Sequence, residues 1–89
     1  MELPAETIQD LSRRLRRVEG QVRALERMVT EGEDCRKVVT QVSAATKALE
    51  QVGFVLVAAG LTWCLEDPER SAAEGYSLDD VQRMFTKLA

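Results

Sequence analysis

The sequence predicts an all-α fold of three helices per chain, two long and one short, and three observations predict it. Apolar residues recur in alternating three- and four-residue steps along most of the chain. Hydrophobic residues make up 45% of it, yet Phe54, Trp63, Tyr76 and Phe85 are the only aromatics, so the core must be built from Val, Leu and Ala. Aliphatic cores of that kind suit packed helices. The pattern is broken at only two places, Glu31-Gly32-Glu33-Asp34 and the stretch after Asp67-Pro68.

The first helix spans about 5–30. Ile8, Leu11, Leu15, Val18, Val22, Leu25 and Val29 form its heptad-like stripe, and Pro4 is tolerated at its start. Gly32 supplies the left-handed residue that closes a helix, and Asp34 is a suitable N-cap for the next. The second helix runs over about 35–66 through Val38, Val42, Ala45, Leu49, Val52, Leu56, Ala59 and Trp63. Its polar face is lost after Gln51, so its second half should be buried from more than one side. Residues 67–75 read as a loop. Ser77-Leu78-Asp79-Asp80 is a capping pattern with Asp80 where Glu is more usual, and it opens a short third helix over about 77–88. Residues 1–89 form one domain with no internal repeat.

At 89 residues a monomer buries little of its surface, so a partner subunit is expected. There is no histidine, which removes the commonest metal ligand and the commonest general base. Hydrolytic and zinc-dependent chemistry are disfavoured; neither an enzyme nor a bound cofactor is expected. Glu2, Glu6 and Asp10 replace the basic and apolar regions of an export signal, which predicts a cytoplasmic protein. The most apolar stretch, residues 52–64, is shorter than the ~20 residues a membrane span needs, so no membrane partner is expected.

The net charge is −3, but it is segregated. Residues 12–27 carry Arg13, Arg14, Arg16, Arg17, Arg23 and Arg27 against Glu19 and Glu26 alone. With Arg16 at zero on a helical wheel, Arg23 and Arg27 fall within ~20°, Arg13 near ~60° and Arg17 near ~100°, opposite an apolar stripe near ~220°. Most charge runs on helices are only solvated faces. Four arginines between positions 13 and 17 also suit forked contacts with phosphates, and nothing marks a helix-turn-helix.

Cys35 and Cys64 are 64 − 35 = 29 residues apart. On one helix that is roughly eight turns plus ~20°, which gives nearly the same face, and a rise of roughly 43 Å. A disulfide needs Cα atoms within ~7 Å, so the two cannot meet within one chain. Two copies packed antiparallel about a two-fold axis between Leu49 and Glu50 would set Cys35 of one opposite Cys64 of the other, twice. Free cysteines often merely fill space, and Cys64 beside Trp63 suits that reading. Cys35, at a helix start next to Arg36 and Lys37, has the setting of a reactive thiol, although Asp34 opposes it. Inert core residue, metal ligand and redox sensor all stay open.

Arg14-Leu15-Arg16-Arg17-Val18-Glu19-Gly20-Gln21-Val22-Arg23, then Arg27-Met28, Cys35 and Thr40-Gln41-Val42-Ser43-Ala44, resemble the copper-sensing operon repressor family, CsoR, with its nickel and formaldehyde relatives RcnR and FrmR. The resemblance runs from about Ser12 to Cys64. It implies an antiparallel dimeric four-helix bundle assembled into a tetramer, which represses its operon until a ligand binds near the second helix. It also implies operator DNA contacts from basic residues of the first two helices, here Arg13, Arg14, Arg16, Arg17 and Lys47.

Copper sensors of this family hold their inducer with a cysteine matching Cys35, a histidine four residues before the second cysteine, and a cysteine matching Cys64. Here the histidine position is Gly60, and Asp34 stands where a tyrosine commonly precedes the first cysteine. Two cysteines without the histidine are similar to the CstR-like subgroup, which responds to persulfides and polysulfides by linking the cysteines across the dimer. The resemblance therefore implies a reactive-sulfur sensor with a Cys35–Cys64 link between chains. The alternative is a Cu(I)-responsive repressor that uses the same two thiolates, since Cu(I) is a soft ion.

Overall fold

The computed structural model describes residues 2–88 and is all-α. Four helices follow in order: α1 (Ala5–Thr30), α2 (Cys35–Glu66), α3 (Pro68–Ala73) and α4 (Leu78–Leu88). The two long helices have the bounds expected from their patterns. Gly32 closes α1 with φ 70°, and Asp34 caps α2 by accepting the Arg36 backbone N–H at 2.8 Å.

The expected count of three helices is corrected by α3, which lies in the stretch read as a loop. Its cause is local. Asp67 accepts the Arg70 N–H at 3.4 Å as an N-cap, Pro68 takes the first-turn position that suits it, and Glu69 follows. Gly75, at φ 86°, then turns the chain toward α4. Six residues are too few for a periodic stripe, so only the cap and the proline could have announced this helix.

α4 starts on the expected capping pattern, with Asp80 in the place of Glu. The Ser77 N–H and hydroxyl donate to Asp80 Oδ2 at 2.9 and 2.7 Å, and Ser77 Oγ accepts the Asp80 N–H at 3.2 Å. These donors hold the Asp80 carboxyl below its usual value, the Ser77 hydroxyl first and the Ser77 amide second.

α1 and α2 form a hairpin whose seam holds the buried Leu11, Val18, Ala45 and Val52. α4 packs along the second half of α2, where the Phe54 and Phe85 rings are 5.8 Å apart. The apolar stripe of each long helix is thus split. Its other half, Ile8, Leu15, Val22 and Val29 on α1 with Val42, Leu49 and Leu56 on α2, repeats every seven residues and is exposed. Burial of α2 from several sides therefore holds only in part: Val52, Gly60 and Cys64 are covered, while Leu56, Leu61 and Leu65 are not.

The chain measures 54 × 26 × 14 Å, little more than one helix thick. Its radius of gyration is 16.8 Å, against about 12 Å for a compact domain of this length. Among the described residues six hydrophobic side chains are buried and thirteen large ones are exposed. At about 1.5–3 kcal/mol for each buried Val or Leu, so few of them are a thin core. The apolar part of α2 is also longer than the 13 residues of 52–64: by length and composition alone the helix could cross a membrane. Its exposed Val42, Leu49 and Leu56 follow the same heptad spacing as Ile8, Leu15, Val22 and Val29 of α1, which is the pattern of helix-on-helix packing.

Candidate functional site

The two cysteines sit at opposite ends of α2, which runs between them without interruption. Cys35 is its first residue and is exposed; Cys64 is buried near its end. The cations beside Cys35 are already compensated. Arg36 Nη2 pairs with Asp34 Oδ2 at 3.3 Å, and Lys37 Nζ lies 3.4 Å from Glu33 Oε1. The Asp34 carboxyl is held below its usual value by the Arg36 side chain, then by the Arg36 amide.

Cys64 has different surroundings. Its thiol donates to the Tyr76 carbonyl oxygen, with Sγ 2.6 Å away, and the Tyr76 ring is 5.4 Å from that of Trp63. One turn earlier on α2, Gly60 is also buried. It lines an apolar cavity of about 370 Å³ between α2 and α4, together with Gly53, Tyr76, Val81 and Met84. Among the described residues no group of three His, Cys, Asp or Glu side chains comes together within the chain. A metal held by both cysteines at once would have to draw on two chains.

The expected DNA-contacting arginines divide into two pairs. Asp10 binds both Arg14, Nε to Oδ2 at 2.9 Å, and Arg13, Nη2 to Oδ1 at 3.1 Å. Its carboxyl is held below the usual value, chiefly by Arg14 and next by Arg13. Arg14 is half-buried on the edge of the α1–α2 seam. Arg16, Arg17 and Lys47 are exposed, with no carboxylate within ion-pair distance among the described residues. The sequence reading missed Asp10, although its place three and four residues before its arginines is the spacing of a helical ion pair. The Tyr76 carbonyl was not legible at all, because a backbone acceptor leaves no mark in residue identity.

Fold and site together define a single-layer helical subunit with a heptad-spaced open face, an arginine-rich stripe and one cysteine at each end of its central helix. The chain belongs to the metal-sensitive transcriptional repressor family, whose model matches residues 7–87. The family is one of repressors rather than enzymes.

The chain is 47% identical over 64 residues to the copper-sensing transcriptional repressor RicR of Mycobacterium tuberculosis, a match that covers 72% of this chain and 64% of that protein. It is 29% identical over 78 residues to the copper-sensing transcriptional repressor CsoR of Bacillus subtilis, covering 88% of this chain and 77% of that one. The crystal structure of the copper-sensing repressor CsoR with Cu(I) from Geobacillus thermodenitrificans superposes with a TM-score of 0.81 at 30% identity, over 98% of this chain and 91% of that chain. All three are named for copper sensing. The expected placement nearest the persulfide-sensing subgroup gains no support from them.

Proposed function

We propose that this chain is a Cu(I)-responsive repressor that acts in the cytoplasm, where an oligomer grips operator DNA through arginines of α1 and releases it when Cu(I) binds Cys35 of one chain and Cys64 of another. The observation that carries this reading is the placement of two thiols at opposite ends of one 32-residue helix. Neither has a second thiol in reach, and antiparallel pairing completes both sites at once. The exposed rows at Leu49 and Leu56 on α2 and Leu15 and Val22 on α1 supply the apolar surface for such pairing. A further pairing of dimers into a tetramer follows the family resemblance.

The donor set fits the ion. Two thiolates suit soft Cu(I), whereas with no histidine in the chain the site offers little to metals that prefer imidazole. Bound there, Cu(I) would supply a link between two subunits, and the chain's part is to present deprotonated sulfur from both. On the DNA side Arg16 and Arg17 are the free pair; Arg13 and Arg14 share Asp10.

One observation favours a second reading. Gly60 stands where the family resemblance places the third copper ligand, and two cysteines without it also suit a persulfide or polysulfide sensor that forms a Cys35–Cys64 link between chains. An anaerobic titration with Cu(I) against a competing chelator, run beside polysulfide treatment and followed by intact mass and operator binding, separates the two. One tightly held Cu(I) per chain with loss of DNA supports the copper reading. Weak Cu(I) binding with sulfur-bridged dimers that release DNA would replace it.

A further inference from the structure

Tyr76 is tied to both α3 and α2. Its N–H donates to the Ser71 carbonyl at 2.8 Å, its ring packs on Trp63, and its own carbonyl takes the Cys64 thiol. The next residue, Ser77, is locked to Asp80 in the first turn of α4 by reciprocal hydrogen bonds. The turn and α4 therefore form one stiff unit attached to α2 at the Cys64 contact. Gly75, at φ 86° and with nothing within 4 Å of where a Cβ would stand, turns the chain into that unit, and the Tyr76 N–H bond to Ser71 ties the turn back to α3. At the far end Leu88 leans on Gly53, so α4 runs antiparallel to α2, and the cavity of about 370 Å³ between them leaves room for a shift.

A thiol can donate to a carbonyl, but a sulfur that has lost its proton cannot. We infer that the Cys64–Tyr76 hydrogen bond is a latch that reports the chemical state of Cys64 to α4. When a soft cation such as Cu(I) takes Cys64, the S–H bond breaks, an S–metal bond forms and the proton passes to solvent. The Tyr76 carbonyl then faces an electron-rich sulfur with no hydrogen between them. The turn moves away, and α4, fixed to it through Ser77 and Asp80, re-seats over Gly60 and Gly53. This adds a regulatory element to the reading of Cys64 as an effector ligand and rests on that reading for its purpose; the latch itself is a property of the metal-free chain.

The test is hydrogen–deuterium exchange of residues 76–88 together with emission of Trp63, the only tryptophan. It uses the full-length wild type, Cys64→Ser, which keeps a donor, and Cys64→Val, which fills the space without one. Loss of one ordinary hydrogen bond predicts about five-fold faster exchange of α4 amides in Cys64→Val, with Cys64→Ser within about two-fold of wild type. Equal behaviour of the two variants, whether both loose or both protected, would overturn the latch, since packing alone would then hold α4. Adding Cu(I) to the wild type should reproduce the Cys64→Val pattern. If Cu(I) binds the wild type but not Cys64→Ser and yet leaves α4 unchanged, the reporting role is overturned; if Cu(I) binds both alike, the copper reading of Cys64 fails while the latch of the metal-free chain stands.

Discussion

Cys35 and Cys64 bound one uninterrupted helix, the first exposed as its opening residue and the second buried near its end at Glu66. A rise of roughly 43 Å separates them, so no motion short of breaking α2 can join them within a chain. Every chemistry that uses both thiols is thereby a chemistry between subunits.

Assembly should depend on the heptad row at the middle of α2. Leu49 is 53% exposed in the single chain, and it lies beside the point where antiparallel copies would cross. Leu49→Asp should cost about 3 kcal/mol or more of association free energy, because a two-fold axis counts the change twice. Sedimentation should find the variant as a partly unfolded monomer at concentrations where the wild type is oligomeric. An unchanged oligomer would place the interface elsewhere.

DNA binding should separate the two arginine pairs. Arg16→Ala with Arg17→Ala should weaken operator binding and reduce its salt slope by about two, one for each lost phosphate contact, with helix content unchanged. Asp10→Asn should act the other way: it frees Arg13 and Arg14 from their shared carboxylate and raises affinity at low salt. Salt-dependent binding titrations of the three proteins check both. Weaker binding by Asp10→Asn would show that Asp10 orients these arginines rather than competing with DNA for them.

Acid should loosen α4 through Asp80. Its carboxyl titrates below the ordinary aspartate value of 3.8 because the Ser77 hydroxyl and amide donate to it. A lowered folded value means the contribution is fully present above about 3.8 and is lost as the pH falls through the folded value. The stability gap between wild type and Asp80→Asn should therefore be constant near neutrality and shrink below pH 4 or so. Denaturant melts across that range measure it, and a gap independent of pH would remove Asp80 from the account.

The long helices were legible because each repeats its apolar spacing over many turns and carries its own stop or start signal, Gly32 and Asp34. The cap of α4 was legible as Ser77 with Asp80. α3 was not, since six residues hold no period. Charge pattern located the arginine stripe but did not by itself show that Arg13 and Arg14 share one partner. The split of each stripe into a buried and an exposed half was also hidden, because a stripe read from sequence cannot say which neighbour covers it. Gly60 drew the sequence reading toward sulfur sensing; the relatives, each named for copper, weigh toward the metal.

The composite site is tested most directly by mixing subunits. Cys35→Ser and Cys64→Ser should each lack tight Cu(I) binding alone. After unfolding and refolding in equal amounts, random pairing makes about half of the dimers mixed, and each mixed dimer regains one complete site of two. The mixture should then hold about a quarter of the wild-type Cu(I) under chelator competition. A mixture that binds none, beside a wild type that binds one per chain and variants shown to exchange subunits, would contradict a site shared between Cys35 and Cys64 of different chains.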